Sequence, residues 1–82
     1  MKIQRIDSVQ QSFGHKSKAS VYGDVKNGML TQPVKVGKRS VGWPDYEVDA
    51  ICKARIAGWT DDLIRGLVSQ LHKDRQTVIV SI

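Results

Sequence analysis

The stretch that most constrains this chain is PVKVGKRSVGWP, residues 33–44, which alternates apolar and polar residues on both sides of a Gly-Lys-Arg-Ser centre. Alternation of this kind, broken by a short glycine-containing turn, is the pattern of a β-hairpin. The spacing predicts Val34 and Val36 on one face of a first strand and Val41 and Trp43 on one face of a second. Lys38 and Arg39 then fall at the tip, and Lys35 points out of the first strand. Pro33 opens the hairpin and Pro44 ends it, at positions where a missing N–H does no harm. A basic hairpin held down by valines and a tryptophan suggests a surface that touches an acidic polymer.

The rest of the chain must be small enough to pack on that platform. At 82 residues, it buries roughly two-thirds of its unfolded surface or less, which allows a single modest core. One cysteine, Cys52, excludes an internal disulfide, and two histidines beside it are too few for a structural zinc site. With no staple available, helices have to pack on the hairpin. The unpaired thiol fits a reducing compartment. No apolar run approaches the roughly 18 residues that span a membrane. The start, MKIQRIDSVQQ, has no apolar segment of a secretory signal. The expectation is one cytoplasmic domain over residues 1–82, with no membrane partner, no cofactor and no metal.

Charge is unevenly placed. Residues 1–43 hold eight bases against Asp7 and Asp24, a net of +6, whereas residues 44–82 hold five bases against six acids, a net of −1. The basic footprint belongs to the first half, and a nucleic-acid phosphate backbone is its most economical partner. The alternative is a surface that is merely well solvated.

Local signals predict four helices. Asp7, with Gln10 as its capping-box partner, opens a short one over about Ser8 to Phe13, which Gly14 stops. Ser17 caps a second, running to about Asn27 with Gly28 beyond its end. Val21, Val25 and Met29 line its apolar side, while Lys18, Tyr22 and Lys26 recur at i, i+4 and i+8 on another face. Pro44 begins a third helix, with Asp45, Glu47 and Asp49 where the helix dipole favours acids, and Gly58 closes it. Thr60 caps a fourth, whose stripe is Leu63, Ile64, Leu67, Val68 and Leu71. The tail TVIVSI reads equally as an edge strand, a dimer contact or a frayed end.

Two short helices joined by a glycine turn, the second basic at its beginning, describe a helix-turn-helix. The expected class is therefore mainly α with a small hairpin (α+β), with four helices and a two-stranded hairpin. The helix-turn-helix covers about 7–28, the hairpin about 33–43 and the C-terminal helices about 45–74.

The runs KASVYGDVKNGM, PVKVGKRSVGWP and DYEVDAICKARIAG together resemble the AlpA family of phage and prophage regulators. The closest likeness is the run from Pro33 to Gly58, with Lys35, Gly37, Arg39, Trp43, Val48-Asp49-Ala50 and Ala54-Arg55-Ile56. It is looser at Ser17, Ser20, Val21, Tyr22 and Gly28. Two departures stand out: the turn between Gly14 and Tyr22 is one residue longer, and Gly23 occupies a position that often holds a long polar residue. The resemblance implies an excisionase-like and MerR-like winged-helix protein that binds double-stranded DNA, nucleoid-associated in its cell. Family members activate a promoter or direct an integrase toward excision, so promoter and attachment-site DNA are both expected partners.

Ten residues are assigned to DNA. Lys16, Ser17, Lys18, Ser20, Tyr22 and Lys26 place a recognition helix in the major groove, the lysines on phosphates and the short side chains near base edges. Lys35, Lys38, Arg39 and Ser40 place the wing along the backbone or in the minor groove, with Arg39 suited to a narrow groove. Trp43 is assigned to the core, since interleaved exposed aromatics, the mark of single-strand readers, are missing. Cys52 is read as a buried small hydrophobe, His15 as a turn residue and His72 as a surface residue. No catalytic arrangement or phosphate-cradling glycine loop is present, so no enzyme activity is expected. The fourth helix either completes the core or meets an integrase, a second protomer or another protein, the last as an adaptor or inhibitor.

Overall fold

The computed structural model describes residues 2–81, with side chains as far as residue 76. Its elements in chain order are β1 (Ile3–Arg5), α1 (Ile6–Ser12), α2 (Lys18–Lys26), β2 (Val34–Lys35), β3 (Val41–Pro44), α3 (Asp45–Ile56) and α4 (Asp61–Ser81). Among the described residues this is a small α+β domain of four helices and one three-stranded antiparallel sheet, ordered β1-β3-β2.

The sheet corrects the expected two-stranded hairpin. β1 pairs with β3 as Ile3↔Pro44, Gln4↔Trp43 and Arg5↔Gly42. Three residues are too few to show alternation, so β1 exists only through its tertiary partner. The hairpin register is Val34↔Gly42 and Lys35↔Val41, closed by the Val36 N–H donating to the Ser40 carbonyl at 2.9 Å. Opposed residues share a face. Lys35 therefore lies with Val41 and Trp43, and Val34 and Val36 lie on the other side with Gly42. Val34 and Val36, expected to help Val41 and Trp43 hold the hairpin down, lie on the opposite face: Trp43 is fully buried, while Val36 is 46% exposed. The turn closes one residue away from opposing Val36 to Val41, and with a side-chain period of two that shift exchanges the faces. Gly42 is required there. A Cβ would lie 2.5 Å from Ile3 Cγ2 and 2.8 Å from the Gln4 carbonyl oxygen, because Ile3 and Val36 close over it.

Most helix ends follow their local signals. Ser17 Oγ accepts the Ser20 N–H at 3.3 Å, and Thr60 Oγ1 accepts the Leu63 N–H at 3.3 Å. Gly14 and Gly28 sit at φ 68° and 78°, a region only glycine enters freely. There the chain folds back on the helices it has left, His15 N–H to Gln10 O at 3.0 Å and Met29 N–H to Asp24 O at 2.8 Å. Helix α1 departs from expectation: it starts at Ile6, with Arg5 as N-cap and no side-chain cap. β1 runs straight into it, so Asp7 lies inside the first turn, where its charge still suits the dipole. Helix α4 runs past residue 74 to Ser81, so the tail backbone is helical as far as Ser81 rather than a strand. Its role as a dimer contact rests on side chains outside the described residues, as does Ile82.

The core gathers Val9 and Val21 from the first two helices, Met29 and Leu30 from the connector, and Trp43 from β3. Val48, Ile51 and Ala54 of α3 and Ile64, Val68 and Leu71 of α4 complete it. Leu63, expected in that stripe, is exposed instead. The exposed Ile56 and Trp59 lie at the same α3–α4 corner, beside an apolar groove of about 370 Å³ that Trp59 and Leu67 help to line. No helix is long and apolar enough to cross a membrane among the described residues.

Candidate nucleic-acid interface

The turn between α1 and α2 is pinned from three sides. His15, predicted as a plain turn residue, donates from Nε2 to Asp24 Oδ2 at 2.6 Å. Arg55 of α3 reaches the same carboxylate oxygen at 3.5 Å, and its guanidinium lies over the Phe13 ring, 5.4 Å from the centroid. This fixes the start of α2, where Lys16, Ser17, Lys18 and Ser20 are all exposed. Val21 is buried beneath them, so the face of Lys18, Tyr22 and Lys26 looks outward, as the i, i+4, i+8 spacing predicts. Ser17 is engaged by its capping bond, and its Oγ lies 3.3 Å from Ser20 Oγ.

Tyr22 ties this helix to the hairpin. Its ring is 46% exposed and meets the Trp43 ring at 6.1 Å between centroids and 51° between planes. Trp43 is held in turn by its Nε1–H, which donates to the Thr31 carbonyl at 2.7 Å inside the core. The core assignment of Trp43 follows from its complete burial. Lys35 lies on the Trp43 side of the sheet, the side on which Tyr22 packs, and Lys38 and Arg39 are exposed at the tip. Ser40 is partly buried and its carbonyl accepts the Val36 N–H. The Tyr22–Trp43 contact is thus the link between α2 and the hairpin.

Ion pairing sharpens the charge asymmetry. Asp24 is taken by His15 and Arg55, and Asp7 by Lys18 at 3.5 Å. Both acids of the first half are thereby matched. Glu47, Asp49 and Asp62 are matched by Arg75, Lys53 and Arg65. Among the described residues, the cations without a carboxylate partner are Lys2, Arg5, Lys16, Lys26, Lys35, Lys38 and Arg39 in the first half, and Lys73 in the second. Lys2 and Arg5 are exposed additions that the sequence did not flag. The β1–β3 pairing brings Arg5 beside Gly42 of the hairpin, on the face away from Trp43, and Lys2 directly precedes that strand.

Among the described residues, no group of three or more His, Cys, Asp or Glu is placed to hold a metal ion. Burial raises the Cys52 thiol pKa, opposed by Arg55 and aided by Asp49, so the thiol is protonated at neutral pH and a poor nucleophile. What the surface offers is cations, hydroxyls and one helix N-terminus, a set suited to a polyanion. No family model, curated protein or solved structure matches this chain.

Proposed function

We propose that this chain is a winged helix-turn-helix protein that binds double-stranded DNA sequence-specifically, as an AlpA-like regulator, an excisionase, or both, of a phage or integrative element. It works by binding and has no catalytic role. The observation that carries the reading is the set of cations without a carboxylate partner at either end of α2 (Lys16, Lys26) and on the hairpin (Lys35, Lys38, Arg39), two elements that touch through Tyr22 and Trp43. In this reading α2 lies in the major groove, with Lys16 and Lys26 on phosphates, Lys18 exchanging its exposed Asp7 partner for a phosphate, and Ser20 and Tyr22 at base edges. Ser17 supports them by capping the helix. Lys35, Lys38, Arg39 and Ser40 follow the backbone, with Arg39 reaching into the minor groove. Titration with the element's own attachment and promoter DNA tests it; absence of binding at low salt refutes it. Footprinting separates the roles, because an excisionase occupies several sites in an attachment arm and bends it, whereas a regulator protects a site beside a promoter.

A second reading, a protein-binding adaptor or inhibitor, draws on the apolar α3–α4 groove lined in part by Trp59 and Leu67 and on the exposed Ile56 and Leu63 at the end of α3 and the start of α4. A stoichiometric protein partner that survives nuclease treatment, with no DNA affinity, favours it.

A further inference from the structure

The fourth helix does something that its apolar stripe does not require. Arg65, His72 and Arg75 recur along α4 at i, i+7 and i+10, and all three hydrogen-bond the backbone of the segment joining α2 to the hairpin. Arg65 Nε donates to the Asn27 carbonyl at 3.0 Å, at the point where α2 ends. His72 Nε2 accepts the Gln32 N–H at 2.9 Å, and Arg75 Nη2 donates to the Gln32 carbonyl at 2.6 Å, just before β2 begins. Arg75 is itself fixed by a two-pronged pair with Glu47 of α3, Nε to Oε2 at 2.8 Å and Nη2 to Oε1 at 2.7 Å. Glu47 is wholly buried, so this pair has one geometry rather than several.

We propose that Arg65, His72 and Arg75 are positioning residues: they clamp both ends of the 27–32 connector and so set the spacing between α2 and the hairpin. For His72 this replaces the expected surface role. A core-filling helix needs only Ile64, Val68 and Leu71; satisfying both polar groups of one exposed residue, Gln32, is a separate task. The consequence for DNA rests on the function proposed above. Two basic elements that must meet one duplex bind best when their separation is set in advance, because a flexible joint loses affinity to ordering.

The test uses His72, since truncating Arg75 strands a buried carboxylate and can unfold the chain. His72→Leu removes the acceptor, whereas His72→Gln offers an amide oxygen near the Nε2 position. In free protein, amide exchange at Gln32 is expected to speed up by about tenfold or more in His72→Leu and to return toward wild type in His72→Gln. DNA affinity is expected to fall about threefold to tenfold in His72→Leu, with the salt slope unchanged, and to recover in His72→Gln. Arg75→Lys, which keeps the charge but loses the fork, is expected to weaken binding likewise. Unchanged Gln32 exchange in His72→Leu overturns the clamp. Faster exchange with unaltered affinity overturns its role in positioning, and a lower salt slope shows direct phosphate contact instead. A wild-type protein that binds no DNA refutes the proposed function alone, while the exchange result still decides the clamp.

Discussion

Replacing Trp43 with Phe tests the joint on which the candidate interface depends. Trp43 is fully buried, donates to the Thr31 carbonyl at 2.7 Å and supports Tyr22 from below. Phenylalanine keeps an aromatic body but has no N–H, so a buried carbonyl loses its partner at about 1–3 kcal/mol. The smaller ring also forfeits roughly 1 kcal/mol of buried apolar surface, before any cavity left behind. The sum is about 2–4 kcal/mol. For 82 residues, total stability is on the order of 4–12 kcal/mol, so the loss is a large share of the whole. Urea unfolding followed by circular dichroism should show a lower midpoint with an unchanged slope. Thermal unfolding should fall by about 8–32 °C at the 4–8 °C per kcal/mol typical of this size. A Trp43→Phe protein within about 0.5 kcal/mol of wild type, inside the usual range for inconsequential surface changes, refutes the assignment of Trp43 as the joint.

Thr31 Oγ1 is buried with no hydrogen-bond partner, so Thr31→Val should stabilise the fold by roughly 1 kcal/mol in urea unfolding; destabilisation of that size contradicts this. Gly23 lies inside α2 with nothing within 4 Å of an added Cβ, and Gly23→Ala should gain about 0.5–1 kcal/mol. Gly28→Ala, forced to φ 78°, should lose about 1 kcal/mol or more in the same assay. The raised Cys52 pKa predicts slow alkylation at neutral pH, with the rate rising only above the usual thiol range. The same direction means that the neutral thiol contributes stability below its unfolded pKa, and that this is lost as pH rises through the folded value.

What the sequence revealed was what short-range chemistry decides. Ser17 and Thr60 announce helix starts, Gly14, Gly28 and Gly58 announce stops, and the spacing of Lys18, Tyr22 and Lys26 announces one exposed face. The misses involve partners far apart in the chain. β1 has no pattern of its own, and its pairing with β3 spans some forty residues. The hairpin register turned on a single residue of loop, which moved Val36 outward and Lys35 to the Trp43 side. Glu47 read only as an acid suited to a helix N-terminus, because the guanidinium that lets it be buried stands on another helix. The candidate site was visible as a list of cations and hydroxyls. Pairing decides which of them are free, since Asp7 and Asp24 are neutralised by contacts that spacing does not show.

The proposed function meets its most direct test in the salt dependence of DNA binding, measured by fluorescence anisotropy on attachment or promoter duplexes. Log affinity should fall linearly with log salt, with a slope of about −0.9 for each phosphate neutralised. Arg39→Ala and Lys26→Ala should each reduce that slope by about one unit. Lys73→Ala, which removes an unpartnered cation from α4, should leave it unchanged. Absence of binding at low salt, or equal losses from Lys73 and Arg39, contradicts the account.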